Sequence, residues 1–499
     1  MNDEQDPRIY DAKTNAFKTL WDKIAIHRMP SYANKIFFSL GFLALTSLLI
    51  LIASGIVLAF MGHTWWTANP FGVYTRSVHL WAVQAFLFIL VMHIIVGAIT
   101  SGFRAPRRMV WVFGALIFCL ALIQTEFGYG LRGDFASQYR AVSGADFWNG
   151  AHLGYWLNPL NYSQVFALHV AIIPITILFI FLAHYILEKT YGISRPYRKD
   201  IPVKMITADH RILFARGTVL AVGILVLAFF FHSPYVAPVT IAGTAAQNPG
   251  LVATTLVQEF KRTSDTATYL DSIDPYTFDT RQVFVAVPYQ QSLHGGHATN
   301  AWAAFESESA DRQQADIQEA EAYATATDTS AFASSTNPVI AMVNTLVPMA
   351  ESGLYESLLN QENPTINSTY TLRFLNDMGV LEAKATALGI NTAEWGMTKD
   401  DNASAFSLPP GSWWLAPLGL VNTAFNLLSN PNGDQIGGEI LGLVMILFIL
   451  FPYIPYVNRL PEALNLGPLI WGKPEPTASG EVQGDEKSDT GENGDAPRE

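Results

Sequence analysis

Cysteine is almost missing from the chain: Cys119 is the only one among 499 residues. An intrachain disulfide is thereby excluded, and so is any metal centre built on several thiolates of this chain. Charge is thin as well, with 14% of residues Asp, Glu, Lys or Arg against about a quarter in ordinary soluble proteins. The net charge of −12 speaks against a nucleic-acid partner. The N-terminus, MNDEQDPRIYDAK, is acidic and has no apolar h-region, so no cleavable signal peptide is evident.

Half of the residues are apolar, and they are concentrated. Windows long enough to span a bilayer occur at about 36–60, 77–100, 108–128, 164–188, 212–232, 414–430 and 436–456, which predicts an all-α membrane protein with seven transmembrane helices. Lys35, Arg104, Arg107, Arg108, Lys189, Arg211 and Arg216 flank helix ends on one side. By the positive-inside rule that side is cytoplasmic. The protein is therefore expected in a prokaryotic inner membrane or its equivalent, with the N-terminus cytoplasmic and the C-terminus and residues 236–408 outside. That outer insertion holds 20 acidic and 7 basic residues. Its patterning assigns no fold, although its acidity would steer basic partners. Residues 1–30 include an amphipathic stretch that reads as an interfacial helix or an ordinary packing helix. The acidic tail 472–499 is too poor in apolar residues to fold.

Four histidines lie in two of the apolar windows, His79 and His93 in one, His169 and His184 in the other. Ionisable groups buried in a membrane are costly and mark function. A separation of 14 residues returns to within about 40° of the same helix face and rises about 21 Å, whereas 15 overshoots by about 60°. Two facing helices would then offer two bis-imidazole sites, stacked across a core about 30 Å thick. Two b-type haems fit that arrangement. With both axial positions filled they would carry electrons and not bind oxygen. Because both helices run from the outer side inward, His79 is expected to pair with His169 outside, and His93 with His184 inside.

Glycines repeat the period: Gly41 and Gly55 in the first window, Gly114 and Gly128 in the third. Their missing side chains leave clefts suited to macrocycle edges, although small residues also serve helix packing. Arg76 and Arg104 stand where an outer and an inner haem propionate would lie, or else anchor the interface.

These residues sit in blocks that resemble cytochrome b of the Rieske/cytochrome b complexes, nearest the photosynthetic type. The blocks are TRSVHLW at 75–81, FRAPRRMVWVFG at 103–114, GYGL at 128–131, ALHVAIIP at 167–174 and YGISRP at 191–196. The resemblance covers about residues 1–235 well. It implies a four-helix di-haem bundle over 31–200, a fifth membrane helix over 201–235, and two last membrane helices over 409–458. It places the four histidines and four glycines on the family's haem positions. It also implies a subunit of a quinol:cytochrome c oxidoreductase that couples quinol oxidation and quinone reduction to proton translocation, with a Rieske iron–sulfur protein, a c-type cytochrome and a second copy of the chain as partners.

Three departures face the outer side. PPGSWWLAPLG at 409–419 occupies the place of the family's Pro-Glu-Trp-Tyr signature, so that Ser412 aligns with its proton-accepting glutamate. LRGD at 131–134 replaces Leu-Pro-Trp, and the insertion precedes the altered signature. Ser39 stands where the photosynthetic branch carries a haem-tethering cysteine, so no covalent haem is expected. Glu126 and Asp134 are the carboxylates available to replace the missing glutamate, against a reading as an interfacial acid and a solvated loop residue. On the inner side Asp209 and His210 resemble residues lining the quinone-reduction site, or form a helix cap. A different reading of the whole is a di-haem anchor that links the quinone pool to another outer-side redox protein without bifurcation. HGGH at 294–297 is too small a donor set for a metal site.

Overall fold

The computed structural model describes residues 28–194, 204–270, 279–293, 300–327, 330–362, 369–391, 408–427 and 433–456, with isolated positions at 398, 459, 463 and 464. The interfacial stretch expected before residue 28, the HGGH motif and the acidic tail lie outside them. A short antiparallel pair, β1 (Arg28–Pro30) and β2 (Met205–Thr207), is the only sheet among the described residues.

Five helices are long and apolar enough to cross a membrane. They are α1 (Leu40–Met61), α2 (Pro70–Ile99), α3 (Arg108–Gly130), α5 (Tyr162–Tyr191) and α6 (His210–Phe230). Asn69 caps α2 through the Phe71 amide, with Pro70 in the first turn where its absent N–H costs nothing. α1 packs on α2 and α3 on α5, and α6 closes against α1 and α2. Outward-facing side chains are apolar, as lipid requires: Phe60, Phe179, Val219 and Phe230 are each about two-thirds exposed or more. The face with Arg104, Arg107 and Arg108 is the basic face, and α4 (Phe135–Gly150) lies across the opposite, outer one.

α5 is not a uniform helix. Leu168–Ile172 form a π-turn. Pro174 has no N–H to offer the Val170 carbonyl, and the wider turn accommodates one residue more than an α-turn would. That surplus residue absorbs the difference between the 15-residue spacing of His169 and His184 and the 14-residue spacing of the other pair.

The C-terminal portion adds two apolar helices among the described residues. α14 (Ala416–Leu427) has 12 residues, about 18 Å at 1.5 Å per residue and well short of a bilayer core. Trp414 is buried beside Tyr129 near the outer end of α3, and Gln84 of α2 holds the Pro410 carbonyl and the Trp413 indole N–H. α15 (Gly433–Ile449) then starts at the outer face, where Gly438 abuts Phe147 and Ala151. It ends at the basic face, where the Trp111 indole donates to the Phe448 carbonyl and Phe451 packs on Phe103. The acidic tail that follows lies outside the described residues.

The insertion is helical with its own core. It contains α7 (Ile241–Gln247), α8 (Pro249–Lys261), α9 (Ala310–Thr325), α10 (Pro338–Glu351), α11 (Leu354–Glu362), α12 (Thr369–Asp377) and α13 (Val380–Leu388). On α8, Val252, Leu256 and Phe260 recur every four residues and are fully buried. They meet Phe284, Phe305, Leu346 and Phe374 in a cluster that also takes in Phe135, Tyr139 and Val142 of α4. The insertion and the outer wall of the bundle thus share one core.

Candidate functional site

His79 and His169 face each other from α2 and α5, with ring centroids 6.3 Å apart and planes at 68°. Two metal–nitrogen bonds of about 2 Å, plus roughly 1 Å from each nitrogen to its ring centre, would span about the same distance. Ring orientation is fixed from behind. His169 Nδ1 donates to the Gln124 carbonyl at 2.8 Å, His184 Nδ1 to the Val110 carbonyl at 2.8 Å, and His79 Nδ1 lies 2.9 Å from Ser54 Oγ. A neutral imidazole that donates from Nδ1 keeps its Nε2 lone pair for a metal. His93 of α2 and His184 of α5 are the corresponding residues toward the basic face, the latter held by the Val110 carbonyl. The donor set therefore fits two bis-histidine haems.

The glycines explain how the rings reach those carbonyls. Each faces one imidazole: Gly41 faces His93, Gly55 His79, Gly114 His184 and Gly128 His169. Gln124 and Val110 lie one turn before Gly128 and Gly114, so the missing side chain lets the histidine approach the helix backbone. The fit is unequal, because a methyl group at Gly128 would lie 2.6 Å from His169 Cε1, whereas one at Gly41 would lie 3.5 Å from His93 Cε1.

At the outer end Arg76 is buried, donates to the Ser233 carbonyl at 2.9 Å, and sits over the Trp66 and Tyr235 rings. Asp134 is fully buried, accepts the Ser137 amide as the N-cap of α4, and pairs with Arg132. Its burial corrects the expectation of a solvated loop residue, since it caps a helix instead. Glu126 instead lines a crevice with Phe127, Gly130, Arg140, Ala141, Pro159 and Val165. Arg140 donates to Ser412 Oγ at 2.8 Å and lies 4.0 Å over the Tyr129 ring.

At the basic face Asp209 caps α6 through the Arg211 amide, with His210 in the first turn. Arg216 reaches Ser39. Arg104 stands half-exposed in the loop before α3, and Arg107 pairs with Glu188 one turn beyond His184. The Arg107–Glu188 pair, Ser54 and Arg140 were not singled out from sequence. Ser54 adjoins Gly55 and Glu188 is an acid in a membrane helix, so both left a signal; Arg140 left none. Among the described residues no cluster of three or more His, Cys, Asp or Glu offers another metal site.

Residues 84–243 match the family described as Cytochrome b(N-terminal)/b6/petB. Cytochrome b6 of Heliobacterium modesticaldum is 30% identical over 195 residues, which cover 35% of this chain and 92% of that protein. Cytochrome b6 of Heliomicrobium gestii is 29% identical over 199 residues, again 35% and 92%, and that of Synechocystis 26% over 200 residues, 35% and 88%. A solved structure of a hyperthermophilic respiratory Complex III aligns with a TM-score of 0.37 at 15% identity, covering 73% of this chain and 99% of that one.

Proposed function

This chain belongs to the cytochrome b/b6 family, and from that premise we propose that it is the di-haem cytochrome b subunit of a bc-type quinol:cytochrome c oxidoreductase. The family binds b-type haem, and its members are electron-transfer subunits of the membrane. The facing of His79 and His169 across 6.3 Å carries the finer reading. His79 and His169 would hold the outer haem and His93 and His184 the inner one, and haem bound there supplies one-electron chemistry without an open coordination site. The protein's own work is orientation. Ser54 and the Gln124 and Val110 carbonyls hold the rings, and the glycines set the depth at which they sit.

In this reading quinol is oxidised at the outer face and quinone reduced at the basic face, beside Asp209 and His210, with protons released outside and taken up inside. Haem propionates would meet Arg76 and Arg104. An iron–sulfur protein of the Rieske type and a c-type cytochrome accept electrons outside, and the subunit works as a homodimer.

Counting haems tests the assignment. The purified protein is expected to bind two, and His79→Ala and His184→Ala are each expected to lose one, seen as halved b-type absorbance. Retention of both haems in either variant rejects the ligand set.

One observation favours the second reading, a membrane anchor without bifurcation. The position that aligns with the family's proton-accepting glutamate holds Ser412, which is fully buried. A redox titration in which quinol reduces both haems with no outer one-electron acceptor present would select it.

A further inference from the structure

We propose that the outer quinol site has exchanged its charges, with Glu126 accepting the quinol proton from the α3 wall while Arg140 occupies the space beside Ser412. This rests on the oxidoreductase reading above and assigns one residue of its outer site.

The position that aligns with the family glutamate holds Ser412, which is fully buried and receives the Arg140 guanidinium. A hydroxyl with an ordinary pKa far above neutrality cannot take a proton from a quinol there. Arg140 is equally unable, because guanidinium stays protonated. Arg140, which reaches Ser412, lines a crevice together with Glu126. Among the described residues its carboxylate makes no hydrogen bond and no ion pair, and one oxygen lies where a side chain at Gly144 of α4 would begin. The lone glycine at that point in α4 is what lets a carboxylate point into the crevice.

The neighbours sort themselves around it. Arg140 is the charged group that lines the crevice with Glu126, and it is held off by Ser412 and by Tyr129 at 4.0 Å. Arg132 covers the same tyrosine at 5.3 Å and pairs with Asp134, which is thereby neutralised as a competing base. Glu126 also lies between Gln124 and Gly128, the two residues that hold His169. Proton acceptor and outer histidine are thus built on one turn of α3.

In the proposed step a hydroquinone O–H bond breaks, the proton goes to a Glu126 carboxylate oxygen, and one electron leaves to the outer iron–sulfur acceptor. The remaining proton leaves in the second half of the oxidation, and the second electron goes to the outer haem that His79 and His169 would hold, so that two of each are released per quinone formed. Arg140 is a positioning residue, setting the charge that the carboxylate meets.

The test uses the intact purified complex and a short-chain naphthohydroquinone, with haem reduction followed by stopped-flow absorbance. Glu126→Gln is expected to slow reduction about 100-fold, within the range for a lost general base, with haem content and midpoint potentials unchanged. Wild-type rate should rise with pH as the carboxylate forms, and the variant should lose that rise. Glu126→Asp should recover most of the rate, and Glu126→Gln/Ser412→Glu should recover part of it by restoring a carboxylate beside Arg140. A Glu126→Gln complex that is reduced at the wild-type rate with the wild-type pH profile overturns the assignment and leaves the oxidoreductase reading standing. Failure of the haem-replete wild type to be reduced at all rejects both.

Discussion

The membrane bundle and the outer domain are both helical, yet they use the same residue types in opposite directions. Phe179 on α5 is 69% exposed and Phe374 on α12 is 0%, because one faces lipid and the other a soluble core. Polar groups are opposed as well. In the bundle they are few, and the histidines are held at chosen depths by glycines. In the outer domain Glu259 of α8 is fully buried and shares its surroundings with Asp377 and Ser264. The first region is tuned by steric approach and the second by protonation.

The sharpest break in that contrast should come from filling a glycine. Gly128→Ala places a methyl 2.6 Å from Cε1 of a His169 ring that is held by the Gln124 carbonyl, an overpacking worth about 1–3 kcal/mol. Loss of the outer haem on mild heating is expected. Gly41→Ala meets only ordinary contact at 3.5 Å and should retain both haems to the wild-type temperature. Equal sensitivity of the two would mean that the period, and not the approach to histidine, is what the glycines serve.

A smaller effect is expected where the regions join. Tyr139 of α4 donates to Glu382 Oε2 of α13 at 2.9 Å. Tyr139→Phe removes that bond at a cost of about 1 kcal/mol, and should lower the temperature at which protease cuts the outer domain without altering haem absorbance.

An effect that vanishes near pH 4 and grows as pH rises is expected at Glu259. Burial, and then the neighbouring Asp377 carboxyl, raise its pKa well above the ordinary 4.5. The folded state therefore keeps a proton that the unfolded chain releases, so stability falls as pH rises from the ordinary value toward the raised one. Glu259→Gln has no proton to lose. Protease protection of α8 against temperature should match wild type near pH 4 and exceed it increasingly toward pH 8. A constant difference across that range would remove protonation as the cause.

How much of this was legible depended on whether packing followed a period. His79, His93, His169 and His184, with their glycines, repeat at a helical interval, and the bundle shows in the sequence for that reason. Their unequal depths do not, since Gly128 and Gly41 differ only in how closely two helices approach. The π-turn at Leu168–Ile172 hid behind the 15-residue spacing, although Pro174 marked it. The contacts of Trp413 and Trp414 with Gln84 and Tyr129 could not be read from the sixth apolar window, because their partners are remote in sequence. α9 was readable only as a helix without a home, because two of its residues, Ile317 and Ala320, are the apolar ones it buries. Arg140 could not be found at all, since its meaning comes from Ser412, 272 residues away.

Sharing a core has a consequence for the architecture of the outer face. Phe135, Tyr139 and Val142 are roofed by the insertion on one side, while Arg140 on the same helix reaches the crevice on the other. Excising residues 236–408 would bare those three to water and strip α4 of half its support. The insertion is a keystone rather than an appendage, and the wall beneath it stands only while the arch is closed.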